Sequence, residues 1–369
     1  MKINFVLANA DMSGGVRVVA SLARELAARG HDVRAFSTPM APPSLRKTVR
    51  RLLRGRGWPK RMIGPRPSFF DGTGIPLTVL PRFRPIMDRD LPDADVVVAT
   101  WWETAPWVSR LSPSKGAKAF LIQHYETWGG NPRGVDAAWR LPLHKIVISQ
   151  WLADLAKNAF GDSDYSMARY GVDMNLFNAP PRGRQERPTV GFLYSHTWFK
   201  GCDVTLKALE IARQQIPDLH VITFGLHKLV NWLPLPPGSE YTFNPPQQSI
   251  KDIYARCDVW LCGSRAEGFH MPPMEAMACR CPVVSTRIGG PMDMVQEGQN
   301  GYLVDVEDHE ALAQRLVDVL RSSADTWQKM SDAAYATACR YTWQEAGALM
   351  ETALQRAIDG SRHRHRIGA

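Results

Sequence analysis

The sequence predicts an α/β protein made of two doubly wound parallel-sheet domains, and three observations carry that reading. The chain has 369 residues, more than one hydrophobic core usually organises, since domains cluster near ~150 residues. Strand-like runs alternate with helix-like runs throughout, the pattern of parallel sheets covered on both faces by crossover helices. The alternation breaks once, near Asn178 to Pro188, where Pro-Pro-Arg-Gly-Arg-Gln-Glu-Arg-Pro carries too little apolar surface for either core. We therefore expect a first domain over 1–178, a linker over 179–188 and a second domain over 189–341. A C-terminal helix and basic tail over 342–369 follow, and that helix has the length to cross back to the first domain. Two such domains can frame an interdomain cleft.

The first unit is the clearest. Ile3 to Ala8 reads as a buried strand and Asn9 to Gly15 as a turn, after which Val16, Val19, Ala20, Ala23, Leu26 and Ala27 share one helix face. Gly30 ends that helix. Strands follow at Val33 to Ser37, Asp95 to Thr100, Ala119 to Gln123 and Lys145 to Ser149, several of them rich in Val or Ile as buried parallel strands are. Beyond the linker come strand Thr189 to Tyr194, helix Asp203 to Gln214, strand His220 to Phe224, helix Ser249 to Arg256 and strand Val259 to Cys262. Helix Pro272 to Cys279, strand Pro282 to Ser285 and a helical series from Glu310 towards Ile358 complete the second sheet. The tail Arg362 to Arg366 is expected to be disordered.

Composition excludes whole classes. Hydrophobic residues at 44 % with charged residues at 22 % argue against disorder, collagen and fibrous repeats. No apolar run approaches the roughly 18 residues of a spanning helix, and the first residues are too short for a signal segment, so a cytoplasmic protein is expected. Six cysteines are too few for a disulfide scaffold and read as buried thiols, and Cys279-x-Cys281 without a second pair or a His cluster points to no metal. The net charge of +9 favours an anionic partner. Nine Lys or Arg and no acid lie between Arg46 and Arg66, interleaved with Leu52, Leu53, Trp58, Met62 and Ile63. That segment reads either as a peripheral contact with the inner face of a membrane or as a solvated loop. Because the charge is concentrated there and in the tail, away from the motif loops, no nucleic acid is expected.

Open parallel sheets bind ligands at the carboxyl ends of their strands. Asp11-Met12-Ser13-Gly14-Gly15 leaves room for close approach to the backbone and opens a helix whose N–H groups suit an anion. It lacks the Gly-x-Gly-x-x-Gly spacing, and the second strand ends Phe36-Ser37-Thr38 without an acid, which counts against a nicotinamide enzyme. The second loop, Ser264 to Ala278, carries Glu267 and Glu275, eight positions apart. Pro272 or Pro273 suits a first helical turn, so amides near His270 and Met271 should face a phosphate. Glu275, placed in that first turn, can accept from ribose hydroxyls, with Glu267 on the strand-side lip near a transferred group. The residues alone leave a second reading open, in which Glu275 complements the helix dipole and Glu267 is merely solvated.

This loop, followed by Cys281-Pro-Val-Val-Ser-Thr-Arg-Ile-Gly-Gly-Pro and Gln299-Asn300-Gly301-Tyr302-Leu303-Val304, resembles the donor-site signature of retaining glycosyltransferases of family 4. Tyr170-Gly171-Val172-Asp173 resembles that family's Asn-Gly-Val-Asp element, and Phe199-Lys200-Gly201 its Lys-Gly element. The resemblance covers essentially the whole chain. It implies the GT-B fold, two Rossmann-like domains facing a cleft, with a nucleoside-diphosphate sugar as co-substrate and no cofactor. It implies Glu275 on the ribose, Glu267 near the donor sugar, Lys200 on the diphosphate, and Phe269, His270 and Met271 giving main-chain contacts. Gly14 and Gly15 become the glycine loop facing phosphate and acceptor. His124 resembles the family's active-site residue after the corresponding strand, and Trp101, Trp102 and Tyr125 read weakly as acceptor-side.

The family's Arg before the Lys is missing here; Arg265 or His196 is the candidate replacement, or Lys200 acts alone. His270 and Arg280 stand where small glycines are common. The Gln-x-Tyr-Glu-x-Trp spacing also resembles a bacterial polysaccharide branch that includes rhamnosyltransferases. The resemblance implies a retaining, metal-independent transfer to a saccharide, lipid-linked or small-molecule acceptor. A sugar-nucleotide epimerase of the same architecture and a non-enzymatic binder of nucleic acid or lipid are the alternatives.

Overall fold

The computed structural model describes residues 1–41, 48–49, 52–53 and 67–367, with side chains to His363. The chain divides into two compact units, one of Met1–Val147, Ala156–Ala168 and Gly347–Ala369, the other of Ile148–Leu155 and Arg169–Ala346. Apart from 48–49 and 52–53, the basic segment Arg46 to Arg66 lies outside the described residues.

In the first unit, β1 (Lys2–Leu7), β2 (Asp32–Ser37), β3 (Leu77–Val79), β4 (Val96–Ala99), β5 (Ala117–Ile122), β6 (His144–Val147) and β7 (Tyr165–Met167) form one sheet. Its order is β3-β2-β1-β4-β5-β6-β7, and the paired neighbours run parallel. β1 is buried after Lys2, and β4 is buried throughout, as strands covered on both faces must be. Helix α1 (Gly14–Ala28) buries Val16, Val19, Leu22, Ala23 and Leu26 on one face, and Gly30 at φ 86° turns the chain out of it. Then come α2 (Ala105–Ser109), α3 (Pro132–Trp139) and α4 (Gln150–Phe160).

In the second unit, β8 (Thr189–Leu193), β9 (His220–Gly225), β10 (Glu240–Phe243), β11 (Val259–Cys262), β12 (Val283–Thr286) and β13 (Gly301–Val304) make a parallel sheet in the order β10-β9-β8-β11-β12-β13. The helices are α5 (Cys202–Gln215), α6 (Ile250–Ala255), α7 (Met271–Ala278), α8 (Gly289–Met294), α9 (His309–Arg321) and α10 (Ala324–Cys339); α11 (Trp343–Ile367) follows, its residues from Gly347 on belonging to the first unit. In the second unit, Phe192, Leu209, Val221, Leu261, Leu316 and Trp327 share the core. Each sheet thus has its first strand third in the order, with winding reversed between the first and fourth strands, the Rossmann-like order.

Three features differ from the sequence reading. The polar stretch 179–188 is docked on the second unit: Arg184 donates to Leu320 O at 2.9 Å and Ser322 O at 2.7 Å, and Arg182 donates to Cys257 O. A stretch poor in apolar atoms is held here by arginines that find backbone carbonyls. The tail expected to be disordered continues α11 to Ile367, since no Gly or Pro interrupts Ser361 to Ile367. Cys339 is exposed, unlike the other five cysteines. Among the described residues, no helix is long and apolar enough to cross a membrane.

Gly116, at φ 86°, lets the chain enter β5 beside β4, and a Cβ there would lie 2.4 Å from the carbonyl carbon of Asp95. We expect Gly116→Ala to lower unfolding stability by about 2 kcal/mol or more in urea titration. Gly14→Ala, where no atom stands within 4 Å of the new carbon, should be close to neutral in the same measurement.

Candidate functional site

Where winding reverses, adjacent loops leave the sheet on opposite faces and open a crevice at the strand ends. In the second sheet that point lies between β8 and β11. The loop after β8 ends in a 3₁₀ turn over Trp198–Lys200, and the loop after β11 carries Glu267. The two loops pack backbone to backbone. A Cβ on Gly201, at φ 53°, would lie 1.8 Å from the Gly263 carbonyl oxygen, so only glycine permits this approach.

That approach brings charge together. Lys200 Nζ donates to Glu267 Oε1 at 2.8 Å and Oε2 at 3.0 Å, while Ser264 Oγ donates to Oε1 at 3.2 Å. The Glu267 side chain is 6 % exposed and that of Lys200 25 %. An ammonium has three donors, and two are directed to Glu267.

The Glu267–Phe269 backbone is fixed from behind. Gly268 O accepts from Ser149 Oγ and Trp151 Nε1, each at 3.0 Å. Gly289 and Gly290 press on the carbonyls of Glu267 and Phe269, where added Cβ atoms would lie 2.4 and 1.8 Å away. The Phe269 ring is buried against Tyr170. The Ile-Gly-Gly-Pro motif therefore holds the glutamate loop closely from behind.

His270 caps α7 in the left-handed region, φ 66°, with no side-chain cap bond. Its ring is 3 % exposed, and Nε2 lies 3.5 Å from Glu267 Oε1. Burial lowers its pKa to about 4, opposed by Glu267, so the imidazole is neutral at physiological pH. Met271 opens α7, and Pro272 and Pro273, in the first turn, bring no N–H.

Glu275 was expected in that first turn. It is instead the fifth residue of α7, 4 % exposed, and accepts from Tyr254 Oη at 2.9 Å. The helix starts at Met271, one residue earlier than the proline rule suggested, which moves Glu275 into the second turn. Arg265 is also placed differently. Its donors go to Glu307, to Asp203 at 2.8 and 2.7 Å and to Trp198 O at 2.8 Å. All five N–H groups are thereby used. The hydrogen bond it donates to Asp203 is the main reason its pKa is raised. Arg265 is a clamp on the loop rather than a replacement phosphate ligand. His196 stacks on His227 at 4.7 Å beside Trp232 at 5.5 Å, and its Nε2 is buried without a hydrogen-bond partner. Arg280, at the other end of α7, donates to Ala179 O at 3.0 Å and pairs with Asp332 at 2.5 Å.

In the first sheet the corresponding reversal lies between β1 and β4. Asp11 accepts from Asn9 Nδ2 and Ser13 N, each at 2.9 Å, shaping the glycine loop. Gly14 and Gly15 open α1, and a Cβ on Gly15 would meet Gln123 at 3.5 Å. Trp101 and His124 both contact Trp128, at 6.2 and 5.3 Å. Trp102 lies instead by Gly134, at the start of α3. Tyr125, expected on the acceptor side, turns its hydroxyl to Asp136 at 2.6 Å and packs on Trp139 and Phe160. It has apolar neighbours for its ring and a carboxylate for its hydroxyl, so it is a packing residue.

The sequence analysis named Glu126 and Trp128, the latter four residues after His124 in the same strand-end loop, only within the Gln-x-Tyr-Glu-x-Trp spacing and gave neither a role of its own. Glu126 is 2 % exposed, and its Oε2 has no hydrogen-bond partner. Burial pushes its carboxyl up to about 8. No sequence signal marks a loop glutamate as buried.

Residues 13–190 match the Glycosyl transferase 4-like domain and residues 177–337 match Glycosyl transferases group 1. The chain belongs to the family-4 glycosyltransferases of GT-B fold. Over 202 residues, 49 % of this chain, it is 31 % identical to the D-inositol 3-phosphate glycosyltransferase of Corynebacterium urealyticum. The match reaches over 46 % of that relative, so the chain spans about half its length. In fold it is similar to sucrose-phosphate synthase from Thermosynechococcus elongatus, with TM-score 0.73 and 16 % identity over 98 % of this chain and 100 % of that one. It is likewise similar to Alr3699/HepE of Anabaena in complex with UDP-glucose, with TM-score 0.71 and 19 % identity over 95 % and 99 %.

The raised carboxyl of Glu126 has a signed consequence. Between its ordinary value of 4.5 and about 8, the folded state holds a proton that the unfolded state has lost. Stability therefore falls as pH rises through that window, by at most about 1.4 kcal/mol per pH unit. Glu126→Gln should flatten that part of the profile, and urea titrations from pH 5 to 8.5 will read it.

Proposed function

We propose that this protein is a retaining, metal-independent glycosyltransferase. It moves a sugar from a nucleoside-diphosphate sugar to a saccharide, lipid-linked or small-molecule acceptor. The observation that carries the reading is the Lys200–Glu267 pair at the winding reversal of the second sheet, one turn before α7 begins. As the bond between sugar and diphosphate breaks, negative charge grows on the leaving group. A fixed ammonium with a donor to spare and a helix start stabilise that charge without a metal.

Glu267, held by Lys200 and Ser264, orients the transferred sugar. Glu275 takes the ribose, and the amides of Phe269, His270 and Met271 complete the donor contacts. The acceptor hydroxyl attacks the face from which the diphosphate departs, and the leaving phosphate takes its proton, so retention needs no enzyme nucleophile. Gly14 and Gly15 face the phosphate and the acceptor, and Trp101 and His124 serve the acceptor side, where flat rings suit the faces of sugars. The UDP-glucose bound to Alr3699/HepE supports a nucleotide-sugar donor. Peripheral membrane association is part of the same proposal and rests on the basic segment of the sequence.

Lys200→Ala and Glu275→Ala should each lower kcat/KM about 10²-fold or more, with unchanged circular dichroism. Activity should survive EDTA. Full activity in both variants, or conversion of the donor with no acceptor present, would overturn the assignment.

A further inference from the structure

His270 has no place in the chemistry above beyond its backbone, yet its side chain is 3 % exposed and its backbone sits at positive φ. It holds a left-handed conformation that glycine would adopt without strain. The imidazole is almost fully buried, which costs a polar ring its hydration unless each nitrogen is matched. Nε2 faces Glu267 Oε1, an acceptor, so the single proton of the neutral ring belongs on Nε2. Nδ1 then carries a lone pair, and it is buried without a hydrogen-bond partner.

We propose that His270 reads the transferred sugar: with Nε2–H turned to Glu267, Nδ1 accepts a hydrogen bond from one sugar hydroxyl. The inference rests on the nucleotide-sugar reading of this site. The chemistry of the atom selects the ligand group. A phosphate oxygen is an acceptor and repels the Nδ1 lone pair, whereas a hydroxyl donates to it. The same hydroxyl oxygen can accept from the Met271 amide, which has no intrahelical partner at the first position of α7. Burial leaves this ring neutral, so Nδ1 remains an acceptor across the physiological range. His270 thus divides the loop: Lys200 takes the anionic leaving group, and the imidazole takes a neutral hydroxyl of the sugar.

The test uses the full-length protein and two substitutions that the backbone tolerates, His270→Gly and His270→Asn. Asn keeps an oxygen near the place of Nδ1, and Gly keeps nothing. A thermal-shift panel of UDP, GDP, ADP and dTDP selects the nucleotide. Calorimetry then compares the bare diphosphate, its glucose, galactose, mannose and rhamnose conjugates, and singly deoxygenated forms of the conjugate that binds most tightly. In the unmodified protein, loss of one particular hydroxyl should weaken binding by about fivefold to tenfold. His270→Gly should abolish that preference with bare-diphosphate affinity unchanged, and His270→Asn should restore most of it.

A His270→Gly protein that keeps the preference overturns the inference and leaves the donor reading intact. Equal loss of preference in both variants assigns the effect to loop shape and also overturns it. If no diphosphate stabilises the unmodified protein, the donor reading falls and the inference with it.

Discussion

A carboxylate that is nearly dry cannot stand alone, and Glu267 meets that constraint through Lys200. Removing one partner from a buried ion pair commonly costs about 3–5 kcal/mol, because the other charge is left uncompensated. The pair has a geometric price in backbone freedom, since the two residues lie 67 positions apart. Their loops must approach until main chain touches main chain, which excludes a side chain at Gly201 and at Gly263, where added Cβ atoms would lie 1.8 and 2.7 Å from neighbouring atoms. Gly289 and Gly290 then close the rear of the same turn. Glycines scattered through the sequence are thus connected by one electrostatic requirement.

The two ends of α7 show how identical strain serves different ends. His270 and Arg280 both adopt positive φ, at 66° and 61°, each at a cost of about 1–2 kcal/mol. Arg280 recovers it within the protein, through Ala179 O, Asp332, the face of Tyr335 at 4.2 Å and a bond from Ser331 Oγ to its carbonyl at 2.8 Å. His270 does not, because one ring nitrogen stays unmatched. Strain that the protein itself repays is architecture. Strain that leaves a polar atom over points outward, to a ligand.

What was legible in the sequence follows the same physics. The interior strands β1, β4, β8, β9 and β11 were read within a residue or two, because burial on both faces forces continuous apolar runs. The four strands missed are the edges, β3, β7, β10 and β13. The first three are exposed or half-buried, so none of them carries the apolar run that identifies a strand, and β13 has only the short run Tyr302-Leu303-Val304 after a glycine. The motif loops were found, but not how their side chains are partnered. Whether Arg265 faces a ligand or two carboxylates depends on Asp203 and Glu307, 62 and 42 positions away. Tyr125 and Glu126 were likewise decided by distant packing, from α3 and α4 in the first case and by burial alone in the second.

The two sheets share one strand order, so what separates them is the chemistry at the winding reversal. The second presents a lysine, a glutamate and a helix start, all suited to an anionic group and the sugar attached to it. The first presents an open glycine turn and Trp101, with His124 and Trp128 on the neighbouring loop after β5 and Glu126 there buried and largely protonated at neutral pH. Flat rings and an uncharged carboxyl do not favour a phosphate. They favour a neutral, polyhydroxylated molecule whose C–H faces lie on aromatic rings. On the proposed reading the donor and acceptor ends of the reaction are therefore sorted by charge before any substrate arrives, because the same fold has been given ionic groups at one reversal and aromatic groups at the other.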